Sequence, residues 1–365
     1  MSCSSEASAE FVDVVATRAE AMRQARPPLI VLEPLTTFLD TAGLGHGPLV
    51  AEGLGDGHSN VTYKLQRGDA RMVLRRPPRP PFPASAHDML REARLLLGLG
   101  RAGVRVPAVL AVCEDEQVIG MPFYVMEYLD GVVSSHSVSS PLSSPKARER
   151  AGLELVDALA ELHALDLDES GLAAVGPRHG YLARQLRRFA AVWNGQRTRD
   201  VPELDEVTIW LNRHLPKSSL TSVVHGDYRL GNIMFSAGRE VRLQAILDWE
   251  MSTLGDPLAD LGYLCATWAE PEDTDNPMLA LSAATRTPGF PTRHGLRERY
   301  ARMTGRDLDG LGWYEVLALW KCAIFLEASY RRFLDGTTGD PYFAQLKDGV
   351  PQLARAALER LRAPG

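Results

Sequence analysis

Cysteine is scarce in this chain: four of 365 residues, Cys3, Cys113, Cys265 and Cys322, stand far apart. No C-x-x-C or Cys/His spacing results, so neither a structural zinc site nor a disulfide framework is expected, and the thiols read as reduced and mostly buried. Charge of one sign is also lacking. Forty Lys and Arg against 46 Asp and Glu give a net charge of −6, with the basic residues scattered, which excludes the dense cationic surface a nucleic-acid binder needs. Long apolar runs are missing too: the most apolar late segment, Val316 to Leu326, is short and broken by Lys321, so no membrane span is expected. The first residues show no basic stretch followed by an apolar one, and a cytoplasmic protein is the expectation. The Asn60-Val61-Thr62 triplet fits a glycosylation sequon, which in such a context reads as accidental.

What is present is a globular composition, 45% hydrophobic and 24% charged, with length for one large domain or two ordinary ones. Residues 1–29 are polar and alanine-rich and read as an N-terminal extension. Residues 30–130 read mainly as strands: Leu49 to Leu54, Asn60 to Gln66 and Arg71 to Arg75 are β-compatible runs separated by Gly-rich or Gly-Asp turns, the pattern of an antiparallel meander. The proline-rich stretch Arg75 to Pro83 is a stiff connector, Ser85 can cap a helix running to about Leu99, and Val106 to Val112 and Phe123 to Leu129 supply two more strands. From residue 131 to 365 the character is helical. Leu153, Val156, Leu159, Leu162 and Leu165 recur at helical spacing, and further helices are expected around Thr292 to Met303, Trp313 to Leu334 and Tyr342 to Leu361.

One strand-rich island, Val223 to Trp249, interrupts these helices. It runs His225-Gly226-Asp227, then Asn232 before an apolar run, a turn at Ala237-Gly238-Arg239, and a second apolar run ending in Asp248-Trp249. Pairing of the two runs as a hairpin returns Asp248 toward the loop that carries Asp227 and Asn232. Magnesium takes one or two carboxylates plus phosphate oxygens, so the Asn232 amide oxygen and the Asp248 carboxylate are suitable ligands. Asp227 is then left to accept a proton. The competing reading, that these Asp and Asn side chains merely satisfy loop backbone groups, explains one such residue better than it explains an ordered set.

At these residues the sequence resembles the aminoglycoside phosphotransferase family and, more distantly, the protein kinases: His225, Gly226, Asp227, Asn232, Asp248 and the segment Gly255 to Leu261 match in order. The resemblance implies an α+β, bilobal protein-kinase-like fold, with a small antiparallel β-sheet N-lobe that binds nucleotide and a larger, mainly helical C-lobe. It implies ATP and Mg2+ as cofactors, Asp227 as catalytic base, Asn232 and Asp248 as metal ligands, and Asp260 as a buried aspartate that fixes the catalytic loop. Gly57, Ser59 and Asn60 match the turn that approaches the phosphates. Val73 and Arg75 share a strand face, suited to adenine and phosphate respectively, and Glu92 matches the acidic partner of that cation. Met126, with the backbones of Glu127 and Leu129, resembles the adenine-binding segment. Arginine at 75 departs from the protein-kinase pattern, which has lysine there.

The implied acceptor is the hydroxyl of a small molecule. Family members act on aminoglycosides, macrolides, choline and other metabolites. The run Leu74 to Pro78 and the Asp248-Trp249-Glu250 variant look closest to the branch of kinase domains fused to acyl-CoA dehydrogenases, which suggests a hydroxyacyl thioester or similar metabolite. Three arginines against one glutamate in the tail from Leu353 weigh against a cationic aminoglycoside. Trp249, Tyr263, Trp268, Trp320, Lys321, Glu327 and Arg331 are candidates for an acceptor pocket. Two other readings are a nucleotide-binding regulator without turnover, which Arg75 makes conceivable but the retained triad disfavours, and a protein kinase, against which the short spacing from Asp248 to Asp256 argues.

Overall fold

The computed structural model describes residues 12–55, 60–80, 82, 87–217, 220–238, 240–336 and 341–362. The chain divides into two compact units, Met1–Leu97 with Pro107–Leu129, and Gly98–Val106 with Asp130–Gly365. One break between the units falls at Leu129 and Asp130, and the short segment 98–106 groups with the second unit.

The first unit contains β1 (Val14–Val15), α1 (Arg18–Ala21), β2 (Ile30–Val31), α2 (Leu32–Thr41), β3 (Leu49–Gly53), β4 (Val61–Arg67), β5 (Ala70–Arg76), most of α3 (Met89–Arg101), β6 (Val109–Cys113) and β7 (Phe123–Glu127). Its antiparallel sheet has the order β3-β4-β5-β7-β6. Strand alternation sorts the side chains of β5: Met72, Leu74 and Arg76 lie on one face and Val73 and Arg75 on the other. Tyr63, Leu65, Met72, Leu74 and Val125 pack with Leu35 and Leu39 of α2 into one core. Each fully buried leucine there contributes about 1.5–3 kcal/mol. Residues 32–41, within the segment read as strands, are helical because Leu35 and Leu39 recur at i, i+4 and Pro34 falls in the first turn, where its missing N–H costs nothing. The supposed N-terminal extension is likewise structured from residue 12. Val14 and Val15 pair in parallel with Ile30 and Val31, and Arg79 binds Asp13 at 2.5 Å and the Pro27 carbonyl at 3.1 Å. Arg76, turned opposite to Arg75, is buried and donates to the carbonyls of Leu29 and Ile119; burial lowers its pKa to about 10.

The second unit contains β8 (Gly131–Val133), α4 (Pro145–His163), α5 (Tyr181–Gln196), α6 (Pro202–Arg213), β9 (Ser222–Val224), β10 (Ile233–Ser236), β11 (Leu243–Ile246), β12 (Thr253–Gly255), α7 (Leu258–Thr267), α8 (Pro277–Ala280), α9 (Arg293–Thr304), α10 (Leu311–Leu334) and α11 (Leu346–Arg362). The 24-residue α10 is buried along most of its length and packs against α5, α6, α7 and α11. The predicted hairpin forms as β10 and β11, with Ile233 opposite Ile246, and β8 adds to it as a third strand. β9 and β12 pair separately, Val224 opposite Thr253. Among the described residues, no helix is long and apolar enough to cross a membrane.

Candidate active site

The loop from β9 to β10 carries His225, Gly226, Asp227 and Asn232, and its shape is held from below by a buried carboxylate. Asp260, at the start of α7 and fully buried, accepts the backbone N–H of His225 at 2.7 Å and of Gly226 at 2.8 Å. His163, also buried, lies 3.3 Å from Asp260 through Nε2 and 2.8 Å from the Tyr300 hydroxyl through Nδ1. Tyr300 in turn accepts from Arg306 at 2.8 Å. Burial lowers the pKa of His163 despite the opposing carboxylate, so the imidazole is neutral, donating to Asp260 and accepting from Tyr300. Burial alone would raise Asp260, but His163, His225 and the Gly226 N–H outweigh it and the carboxyl sits below its ordinary value. Gly226 has φ +87°, and a Cβ there would lie 2.8 Å from the Met251 carbonyl oxygen. Glycine is therefore required on both counts.

Asp227 is clamped on both sides. Asn232 Nδ2 donates to its Oδ2 at 2.7 Å and to its backbone oxygen at 2.8 Å, and Arg229 Nε approaches its Oδ1 at 3.3 Å. The Asn232 amide oxygen is thereby turned away from Asp227. The Leu247 N–H donates to the Asn232 carbonyl at 2.8 Å, bringing Asp248 and Asn232 to one end of the hairpin. His225 ties the loop to this strand end: Nε2 donates to the Leu247 carbonyl at 2.9 Å and Nδ1 accepts the Asp227 N–H at 3.2 Å. Asp248 has φ +65°, a left-handed backbone that costs a non-glycine residue energy and persists where neighbours enforce it. Here the His225 bond on one side and the Trp249 indole, donating to the Ile246 carbonyl at 2.9 Å, enforce it.

An amide oxygen and a carboxylate at one hairpin end are hard donors, and two protein ligands suit magnesium, which keeps water and phosphate oxygens in its shell. No group of three or more His, Cys, Asp or Glu side chains able to hold a metal occurs among the described residues.

In the first unit, Arg75 and Glu92 form an ion pair at 3.1 Å, with 13% and 3% of their side chains exposed. Val73, on the same strand face, is buried opposite Met126 of β7. Asn60 is buried with Oδ1 2.7 Å from His87 Nδ1. Glu127 gives its N–H to the Ala108 carbonyl at 2.9 Å and accepts the Ala108 N–H on its carboxylate at 2.8 Å; Leu129 follows, half-buried. Gly57 and Ser59 lie outside the described residues.

The acceptor-pocket candidates separate into two groups. Trp249, Trp268 and Trp320 are core, each at most 1% exposed, with indole N–H groups bonded to the Ile246 carbonyl, the Pro291 carbonyl and Thr208. Glu327 is buried against Thr198 and Arg199, and Arg331 pairs with Asp335. Tyr263 and Lys321 are half-buried and close to Asp227: the Tyr263 hydroxyl is raised well above its ordinary pKa by burial and then by that carboxylate. Two of the three tail arginines face other partners, Arg360 with Glu315 and Arg362 with Glu206, so these two give no argument about the acceptor. Arg229, His225 and His163 are the supports that sequence reading did not assign. The first two lie inside the recognised motif, where polar spacing hinted at them; His163 carries no local signal.

Residues 50–314 match the model of the phosphotransferase enzyme family. The chain is 34% identical over 310 residues to acyl-CoA dehydrogenase family member 11 of Rattus norvegicus, covering 84% of this chain and 39% of that protein. To family member 10 of Mus musculus it is 33% identical over 291 residues, covering 80% of this chain and 27% of that protein. It thus spans roughly a third of the length of these relatives. A crystal structure from Ralstonia eutropha, assigned to the aminoglycoside phosphotransferases, superposes with a TM-score of 0.72 at 30% identity, covering 90% of this chain and 97% of that one. The aminoglycoside phosphotransferase APH(4)-Ia, solved with AMP-PNP and hygromycin B, shares the fold at a TM-score of 0.55 and 17% identity, covering 86% of this chain and 94% of that one. The expected α+β, protein-kinase-like fold is the fold observed.

Proposed function

Because the chain belongs to the phosphotransferase enzyme family, we propose that it is an ATP- and magnesium-dependent small-molecule kinase that transfers the terminal phosphoryl group of ATP to an alcohol. The observation that carries the proposal is the clamped Asp227 carboxylate, fixed at 2.7 Å by Asn232 and at 3.3 Å by Arg229, on the loop that also brings Asn232 to the hairpin end of Asp248. Asp227 orients the acceptor hydroxyl and takes its proton late in a loose transition state. A bond forms between the acceptor oxygen and the terminal phosphorus, and the bond from that phosphorus to the bridging oxygen breaks, leaving ADP. Asn232 and Asp248 would hold the magnesium ion, which when bound would supply charge neutralisation on the phosphates. Arg75, oriented by Glu92, binds phosphate, together with backbone N–H groups of the turn that carries Gly57, Ser59 and Asn60. Val73 and Met126 pack on the adenine, and the backbones of Glu127 and Leu129 meet its edge.

For the acceptor, similarity to two proteins named as acyl-CoA dehydrogenase family members supports a hydroxyacyl thioester or related metabolite over an aminoglycoside. The test is transfer of label from terminally radiolabelled ATP across pooled hydroxyacyl thioesters, hydroxy acids, sugars and aminoglycosides. Labelled product from a hydroxyl metabolite is expected. Absence of any transfer and of any ATP hydrolysis would leave a nucleotide-binding regulator as the better account.

A further inference from the structure

Hydrogen positions along the buried chain behind the catalytic loop are fixed at both ends. At one end stands Asp260, which as a carboxylate only accepts; at the other stands Arg306, whose guanidinium only donates. Between them, Arg306 Nη1 lies 2.8 Å from the Tyr300 hydroxyl, that hydroxyl 2.8 Å from His163 Nδ1, and His163 Nε2 3.3 Å from Asp260 Oδ2. Because the Tyr300 oxygen takes a hydrogen from Arg306, its own is left to point at Nδ1, so the imidazole carries its hydrogen on Nε2, facing the carboxylate. The other tautomer would aim a lone pair at the anion and displace the Tyr300 hydrogen from its acceptor, a costly arrangement in a buried setting.

Local structure puts Arg306 in this place. Helix α9 ends at Thr304, and Gly305, at φ +66°, takes the left-handed turn that glycine allows, its N–H bonded to the Ala301 carbonyl at 2.8 Å. The chain then brings the Arg306 guanidinium back toward α9 and onto the end of α4, where Nη2 donates to the His163 carbonyl at 2.9 Å. That carbonyl belongs to the last residue of α4, one of the four that a helix leaves without an internal partner. One side chain thus holds both the backbone of His163 and the hydroxyl that faces its ring. Charge acts in the same direction, since protonating the imidazole would put a second cation beside Arg306 and a hydrogen on Nδ1, where Tyr300 already donates. The titratable and charged groups around His163 are Asp260 and Asp256 at the start of α7, His225 beyond Asp260, Tyr300 and Arg306. Asp256 is taken up by the Tyr314 hydroxyl at 2.7 Å and the Leu258 N–H at 3.0 Å. Burial, helped by Arg306, outweighs the two carboxylates and keeps the imidazole below its ordinary value.

We propose that Arg306 and Tyr300 are positioning residues for phosphoryl transfer: they hold His163 in the tautomer that keeps Asp260 bonded to the His225 and Gly226 N–H groups, and so keep Asp227 in working position, in mildly acid solution as well as neutral. The inference rests on the kinase reading, which gives Asp227 its task. A flipped or protonated imidazole would rearrange the hydrogens around Asp260 Oδ2, the oxygen that also accepts the His225 N–H at 2.7 Å, two residues before the base.

Release of labelled phosphate from terminally labelled ATP, with water in place of the acceptor, gives kcat and the KM for ATP across mildly acid and neutral pH. Tyr300→Phe keeps the ring and removes the hydroxyl; kcat should fall by about tenfold, the scale of one buried hydrogen bond, with the KM for ATP unchanged because no nucleotide contact is touched. In Arg306→Gln the charge beside His163 is gone, and the acid limb of kcat should move up by about one pH unit. Arg306→Lys, which keeps the charge and a donor, should leave that limb in place, with kcat between those of the parent and Arg306→Gln. A role in folding alone would lower the melting temperature without moving the limb. Should Arg306→Gln fail to fold, the kcat of Tyr300→Phe decides. Parent-like kcat in Tyr300→Phe, or an acid limb that stays in place in folded Arg306→Gln, overturns this inference alone. A parent that neither releases phosphate nor labels any acceptor overturns the kinase reading with it.

Discussion

Replacing Asp260 by Asn exchanges one oxygen for an NH2 group in a site where every neighbour is a donor. The carboxylate accepts the His225 N–H at 2.7 Å and His163 Nε2 at 3.3 Å on Oδ2, and the Gly226 N–H at 2.8 Å on Oδ1. An amide has one oxygen to offer. With the oxygen toward His225 and His163, its NH2 faces the Gly226 N–H, and the opposite orientation sets it against two donors. The milder arrangement loses a hydrogen bond to a charged acceptor and strands one buried N–H, at a cost of about 2–4 kcal/mol. For a unit of this size the melting temperature should fall by about 4–16 °C. Because the stranded group belongs to the residue beside Asp227, turnover should also fall, by about 10²-fold if the base moves by an ångström. Scanning calorimetry and steady-state turnover on the same preparation check both. A melting temperature within 1 °C of the parent, with turnover intact, would refute the view that this carboxylate shapes the catalytic loop.

Other outcomes follow from the same geometry. Asp248→Ala removes a charged metal ligand and should sharply weaken magnesium-dependent ATP binding in calorimetry while leaving the fold intact. Arg75→Ala should raise the KM for ATP and, by stripping buried Glu92 of this counter-charge, destabilise by about 3–5 kcal/mol, whereas Arg75→Lys should keep partial activity; parent-like behaviour of both would remove Arg75 from the nucleotide site. Acid should destabilise the protein early. His163 has a folded pKa below its unfolded value of about 6.5, so the unfolded state binds the extra proton and stability falls as pH drops below about 6.5. Asp260, also depressed, adds loss only at lower pH, below the usual carboxylate value of about 3.9. Urea unfolding of the parent and of His163→Gln between pH 7 and 5 should show a smaller pH slope in the variant.

The parts of the site that could be read in the sequence are those built by local rules. Asp227, Asn232 and Asp248 lie on one short hairpin whose turn residues and apolar runs define it, and alternation along β5 put Val73 and Arg75 on one face. His163 and Tyr300 are different: His163 meets Asp260 across 97 residues and Tyr300 across 137, and only helix packing joins them. The same packing decides which aromatic residues are core. Trp268 and Trp320 look alike in sequence to a pocket-lining residue, and burial of their rings depends on neighbours far along the chain. Residues 1–29 read as an extension because the two-residue strands that hold their described part carry no periodicity. Their anchoring comes from Arg76 and Arg79 instead, whose partners are backbone carbonyls and Asp13.

The account stands most directly on Asp227. Its replacement by Asn keeps shape and hydrogen-bonding capacity but removes the negative charge and the base. Turnover with an accepted alcohol, measured beside Mg-ATP affinity in the same folded variant, should fall by roughly 10²-fold or more while affinity changes little, since Asn232 and Asp248 remain. Turnover equal to the parent would make Asp227 a structural loop residue and contradict the mechanism.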